Sequence, residues 1–160
     1  MSKKRLPIHT LLENIRSLHN VGSIFRSSDG AGVGKIYLTG YTGIPPRNEI
    51  SKTALGAELE VPWEQVVDPL EAIRKLKKDG VRIIALETGK ESRDIFKFQP
   101  QWPMCLLVGN EVEGISQELL SEADEIVHIP MMGVKESLNV SCAYSVAVYE
   151  LARKYTKKDS

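Results

Sequence analysis

The sequence predicts an α/β domain whose largely parallel sheet is flanked by helices. Three observations predict it. Short apolar runs alternate with segments of helical spacing along all 160 residues. Gly, Pro, Asn and Ser stand where the apolar runs stop. The polar residues among them gather in three clusters, 20–26, 107–114 and 129–141. Polar clusters at strand ends are where such sheets place ligands, so three of them suggest one composite site.

Strand patterns cover 8–14, 36–39, 81–87, 104–108 and 125–129. The first helical pattern, 20–31, puts Val21, Ile24, Phe25 and Ser28 on one face. The run Gly30-Ala-Gly-Val-Gly-Lys35 after it tempts a nucleotide-binding assignment and fails. Asp29 stands where a P-loop needs its first Gly, and Ile36 where it needs Ser or Thr. Lys35 replaces the last Gly of a dinucleotide fingerprint, and the helix-then-strand order is reversed, so a nicotinamide enzyme is disfavoured. The run reads as a helix C-cap and turn. Residues 40–47 then form one exposed loop at the ligand edge of the sheet.

Further along, helix 69–79 turns Leu70, Ile73 and Leu76 inward and Arg74, Lys75, Lys77 and Lys78 outward, and Gly80 stops it. Ser116 caps a short helix through Leu120. The last helix runs from near Asn139 to about Tyr155. Its stripe of Val140, Tyr144, Ala147 and Leu151 is thickened by Ala143, Val146 and Val148, which predicts burial on two sides. A chain of this size has little interior for that, so a subunit interface is expected.

Composition fits one domain, with a core over about 8–155 and short basic ends. No apolar run approaches the roughly 20 residues of a membrane span. The basic N-terminus lacks the apolar stretch of a secretory signal, so a cytoplasmic protein is expected, with no membrane partner. The 21 Lys and Arg balance 21 Asp and Glu, so charge alone does not point to RNA. The basic ends, Lys3, Lys4 and Arg5 and then Arg153, Lys154, Lys157 and Lys158, read as solvated tails, with phosphate binding the alternative. Cys105 and Cys142 read as buried free thiols. His9, His19 and His128 lack metal-ligand spacing, and Ser137 lacks a hydrolase elbow.

The three clusters carry a resemblance. Asn20, Gly22 and Arg26 form the first motif; Leu106-Leu-Val-Gly-Asn-Glu-Val-Glu-Gly114 the second; Ile129-Pro-Met131 with Ser137-Leu-Asn-Val-Ser141 the third. In this order and spacing they resemble the SPOUT superfamily, in its SpoU branch of RNA 2′-O-ribose methyltransferases, over about residues 8–155. The resemblance implies a C-terminal deep trefoil knot and a homodimer formed through the C-terminal helix. It implies that the loops after Glu87, Gly109 and Ile129 hold S-adenosylmethionine, with no metal. Glu87, Thr88, Gly109, Asn110, Gly114, Ile129 and Pro130 would line that site, and Leu107, Met131 and Leu138 would supply its apolar walls.

Catalysis would fall to Arg26, Asn20, Glu111, Ser137 and Asn139. In this family the arginine stands at the reacting ribose and has been proposed as the base. A guanidinium does not readily lose its proton, so Arg26 is better suited to orient the hydroxyl, bind phosphate and stabilise developing negative charge. Each residue also has a plainer reading. Arg26 could pair with Asp29, Asn20 could be an N-cap, and Ser137 and Asn139 could cap the last helix. Glu111 could be a helix-terminal charge; in the site it could hold Arg26 or Asn139. Lys135 and Glu136 read as solvated. The segment 50–57 resembles the tRNA-directed part of the family, which implies that Lys52, with Arg47, meets RNA phosphates. The resemblance therefore implies methyl transfer to structured RNA, tRNA before rRNA. The rival is a non-catalytic RNA-binding or ribosome-assembly factor on the same scaffold.

Overall fold

The computed structural model describes residues 4–158, with side chains through residue 157. Seven strands form one parallel sheet in the order β3-β2-β1-β6-β4-β7-β5. They are β1 (Leu6–Glu13), β2 (Val33–Thr39), β3 (Trp63–Val66), β4 (Arg82–Leu86), β5 (Arg93–Asp94), β6 (Met104–Val108) and β7 (Glu125–His128). The helices are α1 (Leu18–Ala31), α2 (Asn48–Ala54), α3 (Pro69–Lys78), α4 (Gln117–Leu120) and α5 (Val140–Lys158).

Both faces of the sheet are covered, as parallel sheets require. Strand alternation sends Ile8 and Leu12 of β1, with Met104, Leu106 and Val108 of β6, into the core that includes residues of α1, α2 and α5. Leu11, Cys105 and Leu107 enter the opposite core with residues of α3 and α4. Tyr144 of α5 is fully buried, and its hydroxyl lies 2.7 Å from both Thr10 Oγ1 and Ser28 Oγ. That network ties β1, α1 and α5 together, and burial pushes the Tyr144 phenol well up.

The local signals explain the ends. Ser17 caps α1 by accepting from Asn20 N, so α1 starts two residues before the expected helix. Gly32, at φ +80°, closes α1 as its left-handed C-cap. In α3 the Val81 N–H donates to Leu76 O and the Gly80 N–H to Lys77 O, a Schellman ending. Ser116 caps α4 by accepting from Leu119 N.

Several expectations need correction. Helix α2 and strands β3 and β5 were not legible: α2 buries only Ile50 and Ala54, β3 is a half-covered edge strand, and β5 has two residues. The loop 40–47 is not wholly exposed, because Thr42 and Pro45 are buried and Ile44 packs on the core. Cys105 is buried but Cys142 is exposed on α5. The basic ends are not free tails. Arg5 pairs with Asp29 at 2.9 Å, Arg153 and Lys154 pair with Glu150, and Lys154 Nζ also donates to the carbonyls of Ile95 and Phe98. Lys3 and the Lys158 side chain lie outside the described residues.

Candidate active site

Strand β4 lies between β6 and β7, so the C-terminal ends of these three neighbours open onto one place. A pocket of about 470 Å³ sits there. Its walls come from the segments following Leu86, Val108 and His128 and from the start of α5.

The β6 loop is shaped by its glycines. A Cβ on Gly109 would come within 2.4 Å of the Gly114 carbonyl carbon and the Ile115 nitrogen. Gly114 holds φ +72°, a left-handed conformation that favours glycine. Between them Asn110 N and O exchange hydrogen bonds with Gly114 O and N. Asn110 Oδ1 accepts from Val112 N and Glu113 N, both at 2.9 Å, and its amide donates to Asn14 O and to Tyr41 OH. The loop is thus closed on itself and tied to β1 and the 40–47 loop.

Three carboxylates fix the surroundings. Glu87 Oε2 accepts from Ile115 N at 2.9 Å. Glu13, only 6% exposed, accepts from Ser116 N at 2.8 Å. Glu111 accepts from Arg16 N at 2.9 Å, Ser17 N at 2.8 Å and the Asn20 amide at 3.0 Å. Burial alone would raise Glu111, but these donors outweigh it and hold the carboxyl below its ordinary range. Glu111 thereby fastens the β6 loop to the start of α1, across the β1–β6 switch point of the sheet.

Most of the expected pocket residues converge. Glu87, Thr88, Gly109, Asn110, Gly114, Ile129, Met131 and Leu138 line the pocket, as do Glu111, Ser137 and Glu136. Leu107 does not. It is fully buried on the α3–α4 side, and its neighbour Val108 takes the wall position. Pro130 is also absent from the lining.

The expected chemistry residues separate. Asn20 is not an N-cap; it stands inside α1 and binds Glu111. Glu111 holds neither Arg26 nor Asn139, because backbone N–H groups and Asn20 occupy it. Asn139 caps α5, its Oδ1 accepting from Ser141 N at 2.9 Å and also from Ser141 Oγ and Cys142 N, without help from Ser137. Arg26 is exposed and not paired with Asp29, which Arg5 takes. It lines a second groove, with Lys52, outside the pocket. Arg47 is exposed and lies 3.4 Å from Glu49. Within one chain, then, the second and third motifs build the pocket, and the first touches it only through Asn20 and Glu111.

Glu13, Asn14 and Tyr41 were missed. The available signal was the polar pair Glu13-Asn14 directly after the buried Leu11 and Leu12, at the end of a central strand. Among the described residues no group of three or more His, Cys, Asp or Glu is placed to hold a metal ion. No helix of the described residues is long and apolar enough to cross a membrane.

Known proteins resemble the chain across almost its whole length. It is 35% identical over 157 residues to a tRNA (guanosine(18)-2′-O)-methyltransferase of Thermus thermophilus, covering 97% of this chain and 79% of that one. It is 28% identical to a 23S rRNA (guanosine-2′-O-)-methyltransferase of Vibrio vulnificus, covering 96% of this chain and 62% of that one. The crystal structure of the Aquifex aeolicus TrmH/SpoU tRNA modifying enzyme superposes with TM-score 0.88 at 31% identity, over 98% of this chain and 80% of that one. An AdoMet-bound rRNA methyltransferase from Sinorhizobium meliloti superposes with TM-score 0.86 at 29% identity, over 97% of this chain and 59% of that one. The SpoU rRNA Methylase profile matches residues 7–149, the span that holds all three motifs and the whole pocket, and the chain belongs to that family.

Proposed function

We propose that this chain methylates a ribose 2′-hydroxyl in structured RNA with S-adenosylmethionine as donor, and that tRNA is favoured over rRNA. The observation that carries the reading is the pocket at the ends of β4, β6 and β7, built by the second and third motifs. The tRNA preference is supported by relatives that act on tRNA and match over more of their length than the rRNA relative does, 79% against 62%.

The pocket fits the donor. Its volume of about 470 Å³ is that of a small-molecule site. The bare backbone of Gly109 and Gly114 lets a flat ring approach, and Ile129, Met131 and Leu138 give apolar contact. When bound, the donor supplies a methyl group on a sulfonium centre. The chain's residues align the hydroxyl with it and keep the alignment fixed. Ser137 faces the pocket, and Asn139 sets the start of α5 beside it. Arg26, a permanent cation, orients the hydroxyl and stabilises negative charge on its oxygen, while the hydroxyl proton passes to phosphate, water or another residue as the methyl leaves sulfur for oxygen.

Arg26 lies outside its own chain's pocket, so we place the reaction between two copies. Val146 and Tyr149, 38% and 52% exposed, share the open face of α5 with Cys142 and supply an apolar contact surface. A second copy on that face would bring one copy's α1 toward the other's pocket. The trefoil knot belongs to the same reading; it is supported by family membership and by the return of 129–138 beside the β6 loop.

The test is incubation with labelled donor and total RNA, followed by nucleoside analysis. Wild type should form 2′-O-methyl nucleosides, and Arg26→Ala should lower the yield by at least about 100-fold. Equal products from both proteins would remove Arg26 from the chemistry. RNA binding without donor binding in calorimetry would return the chain to the non-catalytic reading.

A further inference from the structure

Tyr41, 61% exposed, carries the most open ring of any Phe, Tyr or Trp among the described residues. It follows β2, which runs parallel to β1, as β6 does on the other side of β1. The ends of β2 and β6 therefore share the sheet edge on which the pocket opens, about 10 Å apart at two strand spacings. The Tyr41 side chain reaches into that gap, and its hydroxyl oxygen accepts from the Asn110 amide at 2.8 Å. Asn110 lines the pocket and Tyr41 does not, so the ring stands one hydrogen bond outside it.

The ring is held as well as exposed. Asn14, in the left-handed region at φ +55°, accepts from Tyr41 N through Oδ1 at 3.0 Å and from the Asn110 amide through its carbonyl oxygen. Gly40 makes room for the Asn14 side chain, since a Cβ there would lie 1.9 Å from Asn14 Oδ1. The next residue, Thr42, is buried and accepts from Ile15 N. Backbone and hydroxyl are thus both fixed, while among the described residues no other ring and no cation packs on the face of Tyr41. Ordering an exposed side chain ordinarily weakens binding; here the fold has already ordered it.

Residues 40–46 carry no charge. The ligand suited to this place has a flat π-face rather than an anionic group, and a nucleobase offers such a face whatever its identity. A ribose presented at the pocket mouth brings its own base and its neighbours to this same edge of the sheet.

We propose that Tyr41 is a stacking platform for an RNA base, and that its bond to Asn110 sets where the stacked nucleotide lies relative to the donor pocket. The proposal rests on the RNA methyltransferase reading and deepens it by assigning a base contact.

The test measures binding of labelled total tRNA by fluorescence anisotropy, without donor, for wild type, Tyr41→Phe, Tyr41→Trp and Tyr41→Ala. Tyr41→Phe and Tyr41→Ala lose the same hydroxyl, so a disturbance of the pocket loop is common to both, and only the second loses the ring. Tyr41→Ala should bind at least about fivefold more weakly than Tyr41→Phe, the loss of one base–aromatic stack. Tyr41→Trp should bind at least as tightly as Tyr41→Phe. The slope of log affinity against log salt should be the same in all four proteins, because no phosphate contact is lost. In Tyr41→Trp, tRNA should quench emission beyond the quenching of Trp63 and Trp102 seen in wild type. Equal affinity of Tyr41→Ala and Tyr41→Phe, or a lower salt slope in Tyr41→Ala, would overturn the proposal. So would unchanged RNA affinity with a lower sedimentation mass in Tyr41→Ala, which would make the ring a contact between copies. Ring-dependent tRNA binding without methyl transfer by wild type would instead overturn the methyltransferase reading and leave the platform standing.

Discussion

Glu111 shows how much one side chain can organise. Its carboxylate takes three donors from the start of α1 while its own backbone forms part of the pocket loop. Glu111→Gln keeps the shape and removes the charge that strengthens those bonds. The expected cost is about 2 kcal/mol in urea unfolding, with weaker donor binding in calorimetry. The pH dependence follows from the lowered carboxyl. Its stabilisation is fully present above about 4.5 and is lost as pH falls through the folded value. Glu111→Gln should therefore flatten the acid limb of the stability curve; a limb identical to wild type would contradict this. The sequence made Glu111 and Asn20 visible but not Arg16 N and Ser17 N as partners, since backbone N–H groups have no residue signature. Leu107 illustrates the same limit. Both faces of β6 are apolar, so nothing in the pattern said that Val108 rather than Leu107 meets the pocket.

At the level of elements, the contact of α1 with α2 is the least legible and the most consequential. Gly22 belongs to a motif that suggests a ligand, yet its missing side chain serves helix packing. Gly22→Ala should cost about 1–3 kcal/mol, because Thr53 can rotate away but the Ile50 carbonyl is backbone and α2 must move. Thermal unfolding would read the loss, and RNA binding should weaken with it as Arg26 and Lys52 separate. An unchanged melting temperature would show that α2 yields freely. Helix α2 escaped the sequence reading because two buried residues in seven make no periodic stripe. By contrast α1, α3 and α5 carry long stripes and clear caps, and the central strands carry continuous apolar runs. Those elements were readable to within a few residues.

The molecule as a whole is organised around α5, which is locked inward by Tyr144 and left open outward at Cys142, Val146 and Tyr149. Val146→Glu places a charge on that open face. In sedimentation wild type should run as a dimer and the variant as a monomer, and methyl transfer should fall while donor binding persists, because the pocket lies within one chain. An unaltered sedimentation mass, or a fully active monomer, would refute the shared active site. The width of the α5 stripe was legible from sequence; the path by which the chain reaches α5 was not, since pattern carries no record of path. One feature of the pocket bears on how the protein comes into being. Its walls begin at Leu86, Val108 and His128, and the last is completed only by residues reaching Ala143. A nascent chain therefore has no complete pocket until residues through Ala143 have left the ribosome and the start of α5 has docked. The donor can stabilise only molecules in which β4, β6, β7 and the start of α5 have already come together, so it acts late, as a clamp on the assembled sheet and not as a template for folding it.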